Sequence, residues 1–286
     1  MKIASQSKCF GGEMTVFRHQ SDSCEAEMSF SVYLPPQAQS GPVPLLWFLS
    51  GLTCNHENAM TKGGFQQHAA RDGIALIFPD TSPRGEDVAD DEAYDLGVGA
   101  SFYVNATQEP WKRHFQMYDY IVKDLRAAVQ AELPVTDRHG ITGHSMGGHG
   151  ALVIALRNPD LFQSVSVFAP IANPTQSDWG RKQLSAYLGE DESDWADYDA
   201  SILLDERGWH SDILIDQGTS DQFIELLRPQ ALSAVIARRR QPAVMRLQAR
   251  YDHSYFFVSS FAADHVAWHA ARLNGAANGE HENMGA

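Results

Sequence analysis

Residues 143–147, Gly-His-Ser-Met-Gly, match the pattern Gly-x-Ser-x-Gly, in which the serine can act as a nucleophile. The residues up to Gly143 predict a strand, and a helical pattern from about 146 to 157 follows Ser145. A sharp strand-to-helix turn needs small neighbours, and the helix N-terminus directs unpaired N–H groups at a centre that becomes negative. The alternative is a glycine-rich turn that merely needs small residues. The flanking strand and helix favour a nucleophile.

A serine hydroxyl needs a general base, and we predict that this base is His253. Around such a serine turn the chain order is serine, then Asp or Glu, then histidine, so the base follows Ser145. His253 directly follows a predicted strand. His265 and His269 lie four residues apart on the last predicted helix, where a surface or packing role is expected. Such a pair could bind a metal, but no third ligand accompanies it, so we expect no metal site. His281 lies in the tail.

The carboxylate that orients the base is predicted to be Asp221. Asp216 ends a predicted strand, whereas Asp221 lies beyond the following turn, where a carboxylate can reach the histidine loop. Asp252 adjoins His253, but consecutive side chains of an extended segment diverge. Asp221 could instead cap a short helix beginning near Phe223, and the two roles could coexist.

Ester hydrolysis through a tetrahedral intermediate also needs two backbone N–H donors for its oxyanion. One donor is the backbone N–H of the residue after the nucleophile, which is Met146. The other should come from residues 50–54, directly after the apolar run that ends at Leu49. We predict Leu52 as this second donor.

Strands and helices alternate around these residues. Short apolar runs predict buried strands over 43–49, 74–78, 140–143, 164–168, 212–216 and 244–248. Helical patterns are predicted over 146–157, 229–239 and 260–273, and at the apolar stripe Met117, Ile121, Leu125 and Val129. Residues 26–34 alternate polar and apolar positions and predict an early antiparallel edge strand. The fold class is therefore α/β, a mostly parallel sheet with helices on both faces, and the serine turn makes it an α/β-hydrolase fold.

Two segments interrupt the alternation. Residues 80–111 form a long, acid-rich stretch typical of a wall or lid, although 86–92 is better interpreted as a solvated acidic loop. Residues 176–207 are polar with scattered aromatic residues and predict short helices inserted over the sheet. We expect one domain over 1–274 and a disordered tail over 275–286, which is rich in Gly, Asn and Glu.

The composition excludes several functional classes. The chain has 286 residues and a formal net charge of -14, which opposes binding to nucleic acids and anionic membranes. Its N-terminus lacks the apolar core of a secretory signal, and no apolar run reaches the roughly 20 residues that span a bilayer. The three cysteines are widely spaced and odd in number, so reduced thiols are expected. We therefore predict a cytoplasmic protein.

Several separated motifs resemble one known family. They are Leu-Ser-Gly-Leu-Thr-Cys at 49–54, Phe-Tyr-Val-Asn-Ala-Thr at 102–107 with Pro110-Trp111, Gly-His-Ser-Met-Gly-Gly-His-Gly at 143–150, Asp-Gln-Gly at 216–218 with Asp221, and Asp-His-Ser-Tyr at 252–255. Together these motifs look like those of S-formylglutathione hydrolases, also called esterase D. The resemblance extends from about Cys9 to Leu273.

The resemblance implies a cytosolic thioesterase that hydrolyses S-formylglutathione to glutathione and formate, a late step of formaldehyde detoxification. Members of the family also cleave short-chain carboxylesters and are commonly dimers. Carried over by motif, the triad is Ser145, Asp221 and His253, with Leu52 and Met146 as oxyanion donors. These residues agree with those chosen above from order and context. We expect a small-molecule substrate and no cofactor.

The resemblance also makes Cys54 a thiol near the active site whose modification inhibits the enzyme. The alternative, a small buried hydrophobic residue, remains open, because thiol reactivity depends on pKa and exposure. A formyl group is small and suits a tight acyl pocket, for which the loop from Phe102 to Trp111 is a candidate wall.

Three alternatives remain at this point. A general short-chain carboxylesterase would use the same machinery, as would a feruloyl esterase or an acyltransferase of the same fold. A catalytically dead hydrolase fold could serve as a binding module, since fold alone does not give function. The intact order of Ser, Asp and His argues against this last alternative.

Overall fold

Nine strands form one sheet in the computed structural model, which describes residues 1–275. They are β1 (Lys2–Cys9), β2 (Gly12–Ser21), β3 (Ala26–Leu34), β4 (Val43–Leu49), β5 (Ala75–Pro79), β6 (Val135–His144), β7 (Ser164–Phe168), β8 (Ile213–Gly218) and β9 (Ala243–Gln248). Their order is β1-β2-β3-β5-β4-β6-β7-β8-β9. The strands from β1 to β3 pair antiparallel, as do β3 and β5, and every other pair is parallel. The mostly parallel sheet predicted from the sequence is confirmed.

The helices lie between these strands and after the last of them. They are α1 (His56–Lys62), α2 (Gln66–Asp72), α3 (Met117–Asp119), α4 (Arg126–Glu132), α5 (Met146–Arg157), α6 (Asp178–Leu188), α7 (Ala200–Arg207), α8 (Ile224–Leu227), α9 (Pro229–Arg239) and α10 (Tyr255–Gly275). A π-helical segment, Tyr120–Leu125, joins α3 to α4, and short 3-10 helices occur at Pro36–Gln39, Pro174–Gln176 and Glu192–Tyr198. None of the helices in residues 1–275 has both the length and the apolarity needed to cross a bilayer.

The central strands are buried along their whole length. Every residue of β4, β5, β7 and β8 is buried, because helices cover the sheet on both faces. Helix α10 packs on β6, β7 and β8, while α5 packs on β4, β6 and β7. Side chains alternate along a strand, so Ser164 and Ser166, which contact α10, leave Val165 and Val167 to point away from it.

The predicted edge strand is not at an edge. β3 occupies the predicted residues 26–34 and is antiparallel, but it pairs with β2 on one side and β5 on the other. The edge is β1, which forms a hairpin with β2 through a turn at Phe10 and Gly11. β1 is exposed on both faces, so it lacks the apolar alternation by which a strand is recognised.

Most of the other boundaries follow the prediction closely, although β6 begins at Val135, five residues before the predicted strand over 140–143. α5, α9 and β7 occupy the predicted residues, while α10 begins five residues earlier than expected, at Tyr255. Between 176 and 207 the structure contains α6, a 3-10 helix and α7. Gly275 ends α10, and the rest of the predicted tail, residues 276–286, lies outside the described residues.

Candidate active site

Ser145 lies at the turn between β6 and α5, in a backbone conformation that few side chains adopt. Its φ is 60° and its ψ is -120°. The turn is possible because glycines lie two positions before and two positions after Ser145. A Cβ at Gly143 would lie 2.2 Å from the Gly147 carbonyl oxygen, and a Cβ at Gly147 would lie 1.9 Å from the Leu49 carbonyl oxygen. The Ser145 N–H donates to the Phe168 carbonyl at 3.0 Å, which fixes the turn to β7.

A cleft of about 250 Å³ opens above Ser145. It is lined by Gly51, Leu52, Thr53, Cys54, Tyr94, His144, Ser145, Trp179, Phe223, His253, Ser254 and Tyr255. The structure thus brings the predicted nucleophile, base, second oxyanion donor and candidate thiol together in one cleft. Sequence reasoning missed the aromatic side chains of Tyr94, Trp179 and Phe223, which lie in poorly periodic segments.

Asp221 and His253 are joined by a short hydrogen bond. His253 Nδ1 lies 2.6 Å from Asp221 Oδ2, and the Asp221 side chain is fully buried. The carboxylate also accepts the Phe223 N–H at 2.8 Å through Oδ1, and Gln217 Nε2 at 3.1 Å through Oδ2. Asp221 therefore contacts both the predicted base and the N–H of Phe223, but it is not the cap of α8, whose N-cap residue is Phe223 itself. Because a carboxylate accepts, Nδ1 carries the proton and Nε2 of a neutral His253 is left free to act as a base.

Asp216 has different partners. Arg246 Nε donates to its Oδ1 at 2.6 Å, and His265 Nε2 lies 3.1 Å from its Oδ2. Burial favours the protonated acid, but the hydrogen bonds from His265 and Arg246 outweigh it and lower the pKa of Asp216 to about 2. Asp252, in turn, accepts the N–H and hydroxyl of Ser254. Neither carboxylate forms a hydrogen bond or ion pair with His253 within residues 1–275.

His265 and His269 are both buried beneath the sheet and belong to one chain of hydrogen bonds. His269 contacts Ser164 Oγ at 2.6 Å and Ser166 Oγ at 2.8 Å, and His265 contacts Ser166 Oγ at 2.8 Å. Asp216 accepts from His265 Nε2, so Nδ1 of a neutral His265 is an acceptor. The Ser166 hydroxyl lies within hydrogen-bond distance of this Nδ1, of His269 Nε2 and of Thr142 Oγ1, and Ser164 closes the chain at His269 Nδ1. This chain gives the two histidines a packing role, and no metal-binding cluster occurs within residues 1–275.

The loop after β4 presents Leu52 towards the cleft. The N–H groups of Thr53 and Cys54 donate to the carbonyls of Gly99 at 2.9 Å and Gly51 at 3.3 Å. Arg84 Nη2 donates to the Cys54 carbonyl at 2.9 Å, and the same side chain is paired with Asp80. These contacts fix the loop that carries Leu52. Within residues 1–275, the Leu52 N–H has no protein acceptor.

His144, the variable residue of the serine motif, packs against the predicted base. The ring centroids of His144 and His253 are 4.4 Å apart and their planes are tilted by 40°. Burial, reinforced by the neighbouring His253, holds the pKa of His144 well below its usual range, so its ring is neutral. The sequence offered no signal for this contact, since the motif allows any residue at that position.

Cys54 lines the cleft and is 9% exposed. Burial raises the pKa of its thiol, and the charges of Lys62 and Arg84 only partly oppose this. The thiol is therefore protonated near neutral pH and is a weak nucleophile in that form.

Phe102 and Trp111 are not among the residues that line the cleft, contrary to the predicted acyl-pocket wall. Phe102 is fully buried behind the serine turn, with its N–H 3.3 Å from Met146 Sδ and its ring against His149. Trp111 packs against Phe115 and Tyr187 inside the protein. Both rings support the turn and the inserted helices instead of facing a substrate.

The sequence matches a known family of esterases. The model of the esterase family matches residues 21–277. The chain is 58% identical to an S-formylglutathione hydrolase of Paracoccus denitrificans, over 95% of this chain and 98% of that protein. It is 49% identical to the S-formylglutathione hydrolase of Mus musculus, over 96% and 99% of the two chains. The chain belongs to the S-formylglutathione hydrolase family.

A solved structure of a family member agrees with the fold. The S-formylglutathione hydrolase of Agrobacterium tumefaciens superposes with a TM-score of 0.94 and 46% sequence identity, covering 96% of this chain and all of that one. Membership of this family makes the protein a hydrolase with the α/β-hydrolase fold.

Proposed function

We propose that the protein hydrolyses S-formylglutathione to glutathione and formate, with Ser145, His253 and Asp221 as its catalytic triad. The hydrogen bond of 2.6 Å between His253 and Asp221, in the cleft that contains Ser145, carries this proposal. The extent of the identity to S-formylglutathione hydrolases supports the choice of substrate.

The first half of the reaction transfers the formyl group to the serine. His253 Nε2 takes the Ser145 proton as Oγ attacks the formyl carbonyl, and Asp221 stabilises the resulting imidazolium. The oxyanion accepts the N–H groups of Leu52 and Met146. A thiol has a pKa near 8.5, far below that of an alcohol, so the glutathione sulfur leaves readily and then takes up the proton from His253.

The second half uses water. His253 removes a proton from a water molecule that attacks the formyl ester on Ser145, and the same two N–H groups stabilise the second oxyanion. Collapse of this intermediate breaks the bond to Oγ, which regains its proton from His253. Formic acid is released and loses its proton to solvent to give formate, and the triad returns to its first state.

The shape of the cleft favours small acyl groups. Its volume of about 250 Å³ is below the roughly 300 Å³ at which most small-molecule sites begin, and Trp179 and Phe223 narrow it. The same apolar walls suit acetyl and butyryl esters, which supports short-chain carboxylesterase activity as a second function of the site.

The test compares substrates under one set of conditions. We expect kcat/KM for S-formylglutathione to exceed that for 4-nitrophenyl acetate and 4-nitrophenyl butyrate by at least about 100-fold, the ratio that about 3 kcal/mol of transition-state binding provides. Equal values would instead identify a general short-chain carboxylesterase.

The family resemblance further supports a cytosolic homodimer. The cysteines of residues 1–275 form no disulfide, which fits a reducing compartment. Light scattering during size-exclusion chromatography measures the mass, with twice 31.6 kDa expected.

A further inference from the structure

We infer that Lys62 binds the glycine carboxylate of the glutathionyl group, in a groove that continues from the cleft above Ser145. The inference rests on the proposed thioesterase function and extends it to the leaving group. It assigns the glycine end of the tripeptide to this groove and the γ-glutamyl end to another part of the cleft rim.

The cleft is too small for the whole substrate. Its volume is about 250 Å³, and from the sulfur each arm of the extended tripeptide reaches roughly 7 Å, the span of two residues. With the formyl carbon at Ser145, both arms of glutathione must therefore continue beyond the cleft.

A second groove adjoins the cleft on the side of α10. It has a volume of about 510 Å³ and is lined by Lys62, Ser254, Tyr255, Phe256 and Ser259. Ser254 and Tyr255 line both cavities, so they form the boundary that one arm would cross. The Phe256 side chain is 83% exposed here and offers an apolar surface to the peptide stem.

Lys62 is the cation of this groove. It is exposed at the end of α1, and within residues 1–275 it has no carboxylate partner. Two other cations near the cleft are already paired, Arg84 with Asp80 and Lys182 with Asp95. Burial raises the pKa of the Cys54 thiol, and the positive charge of Lys62 lowers it in part. The charge of Lys62 therefore acts on a group that lines the cleft.

Another part of the rim of the cleft is acidic. Tyr94 lines the cleft but not the groove, and it belongs to a segment that contains Asp90, Asp91 and Glu92. Within glutathione, the γ-glutamyl end carries an ammonium group beside its carboxylate, whereas the glycine end carries a carboxylate alone. Charge complementarity therefore directs the glycine end to Lys62 and the γ-glutamyl end to the acidic rim.

The first experiment measures binding without turnover of a thioester. S-methylglutathione is used as a competitive inhibitor of 4-nitrophenyl acetate hydrolysis, with Lys8→Gln as the control, a lysine in the exposed strand β1. We expect Lys62→Gln to raise the inhibition constant about three- to fivefold, the size of one exposed ion pair. Lys62→Glu should raise it about tenfold or more, and 1 M salt should reduce both effects.

The second experiment locates the carboxylate. In an S-methylglutathione analogue the glycine carboxylate is replaced by a carboxamide. This analogue should bind the unmodified protein more weakly and should be insensitive to Lys62→Gln. The assignment is wrong if Lys62→Gln weakens the binding of both ligands equally, if it weakens the binding of neither, or if S-methylglutathione does not inhibit at all. It is also wrong if the effect of Lys62→Gln disappears only when the γ-glutamyl carboxylate is converted to an amide.

The two proposals can fail separately. If S-formylglutathione proves to be a poor substrate while inhibition by S-methylglutathione still depends on Lys62, the groove stands and the proposed reaction is wrong. If S-formylglutathione is the preferred substrate and Lys62→Gln changes neither inhibitor, the reaction stands and the groove is wrong.

Discussion

The ring of Phe168 lies flat on the ring of His265, with centroids 3.7 Å apart and planes 20° apart. The Phe168 carbonyl also accepts the Ser145 N–H, so a buried histidine of α10 supports the strand that holds the serine turn. Each segment that carries a residue of the proposed triad has a member in the same buried group. Thr142 of β6 contacts Ser166, and Asp216 of β8 contacts His265.

Replacing His265 by phenylalanine should destabilise the fold. The aromatic ring can remain on Phe168, but Ser166 and Asp216 lose a buried hydrogen-bond partner. We expect a loss of about 3 kcal/mol in the free energy of unfolding, measured by urea titration. The exposed His210→Phe should change it by less than about 0.5 kcal/mol. Equal unfolding midpoints for the two variants would contradict the role given to His265.

The hydroxyl of Ser145, not the thiol of Cys54, should carry the reaction. Ser145→Ala should lower kcat for S-formylglutathione by about 10⁴-fold or more, since removal of a triad nucleophile leaves only the contribution of binding and the oxyanion donors. Cys54→Ala should keep most of the activity, because burial keeps that thiol protonated. Mass spectrometry of the acylated protein locates the intermediate, and an acyl group on Cys54 would refute the assignment.

Asp216, in β8, and Asp221, in the loop after it, should respond in opposite ways to replacement by asparagine. Asp221→Asn should leave stability nearly intact and lower kcat by about 10³- to 10⁴-fold, because the amide no longer fixes the tautomer of His253. Asp216→Asn should instead cost about 3 kcal/mol of stability, since the Arg246 charge and the His265 N–H lose a buried carboxylate. Kinetics and urea titration of both variants provide the comparison, and the reverse pattern would exchange their roles.

Stability should fall as the pH decreases from neutrality. Burial lowers the pKa of His139 and of His149 to about 4, whereas an unfolded chain has histidine pKa values near 6.5. Between these values the unfolded state binds more protons than the native state, so acid favours unfolding. Each of the two histidines removes about 3 kcal/mol between pH 6.5 and pH 4. The pKa values of His144, His265 and His269 are lowered by burial as well, and act in the same direction.

Urea midpoints at pH 7.5, 6.0 and 5.0 measure this loss. They should decrease in that order, with little change above pH 7, where histidines are neutral in both states. A midpoint that stays constant down to pH 5 would mean that these rings bind protons as readily in the native state as in the unfolded state, which would contradict their lowered pKa values.

The elements that carry the site were predictable because their local signals agree with their surroundings. The residues of α5 follow a serine turn and end at Asn158-Pro159, so its predicted bounds match the structure. The predicted start of α10 at residue 260 was five residues too late, and the serines Ser259 and Ser260 lie inside the helix. In the structure their hydroxyls donate to the Phe256 carbonyl, one turn back in the same helix.

The walls of the cleft could not be predicted. Tyr94, Trp179 and Phe223 come from three distant segments, and their meeting depends on tertiary packing. The wall predicted at Phe102 and Trp111 failed for the same reason, because apolar rings beside an active-site motif can face either the substrate or the core. Spacing likewise placed His265 and His269 on one face of a helix but could not show that this face is buried.

The backbone at position 145 decides which nucleophiles the turn can hold. At a φ of 60° and a ψ of -120° a side chain with one substituent on Cβ fits, whereas a β-branched side chain is strongly disfavoured. Serine and cysteine therefore remain compatible with the turn, and threonine does not, although its hydroxyl is chemically equivalent to that of serine. The backbone conformation thus limits which residues can occupy position 145, whatever their reactivity as nucleophiles.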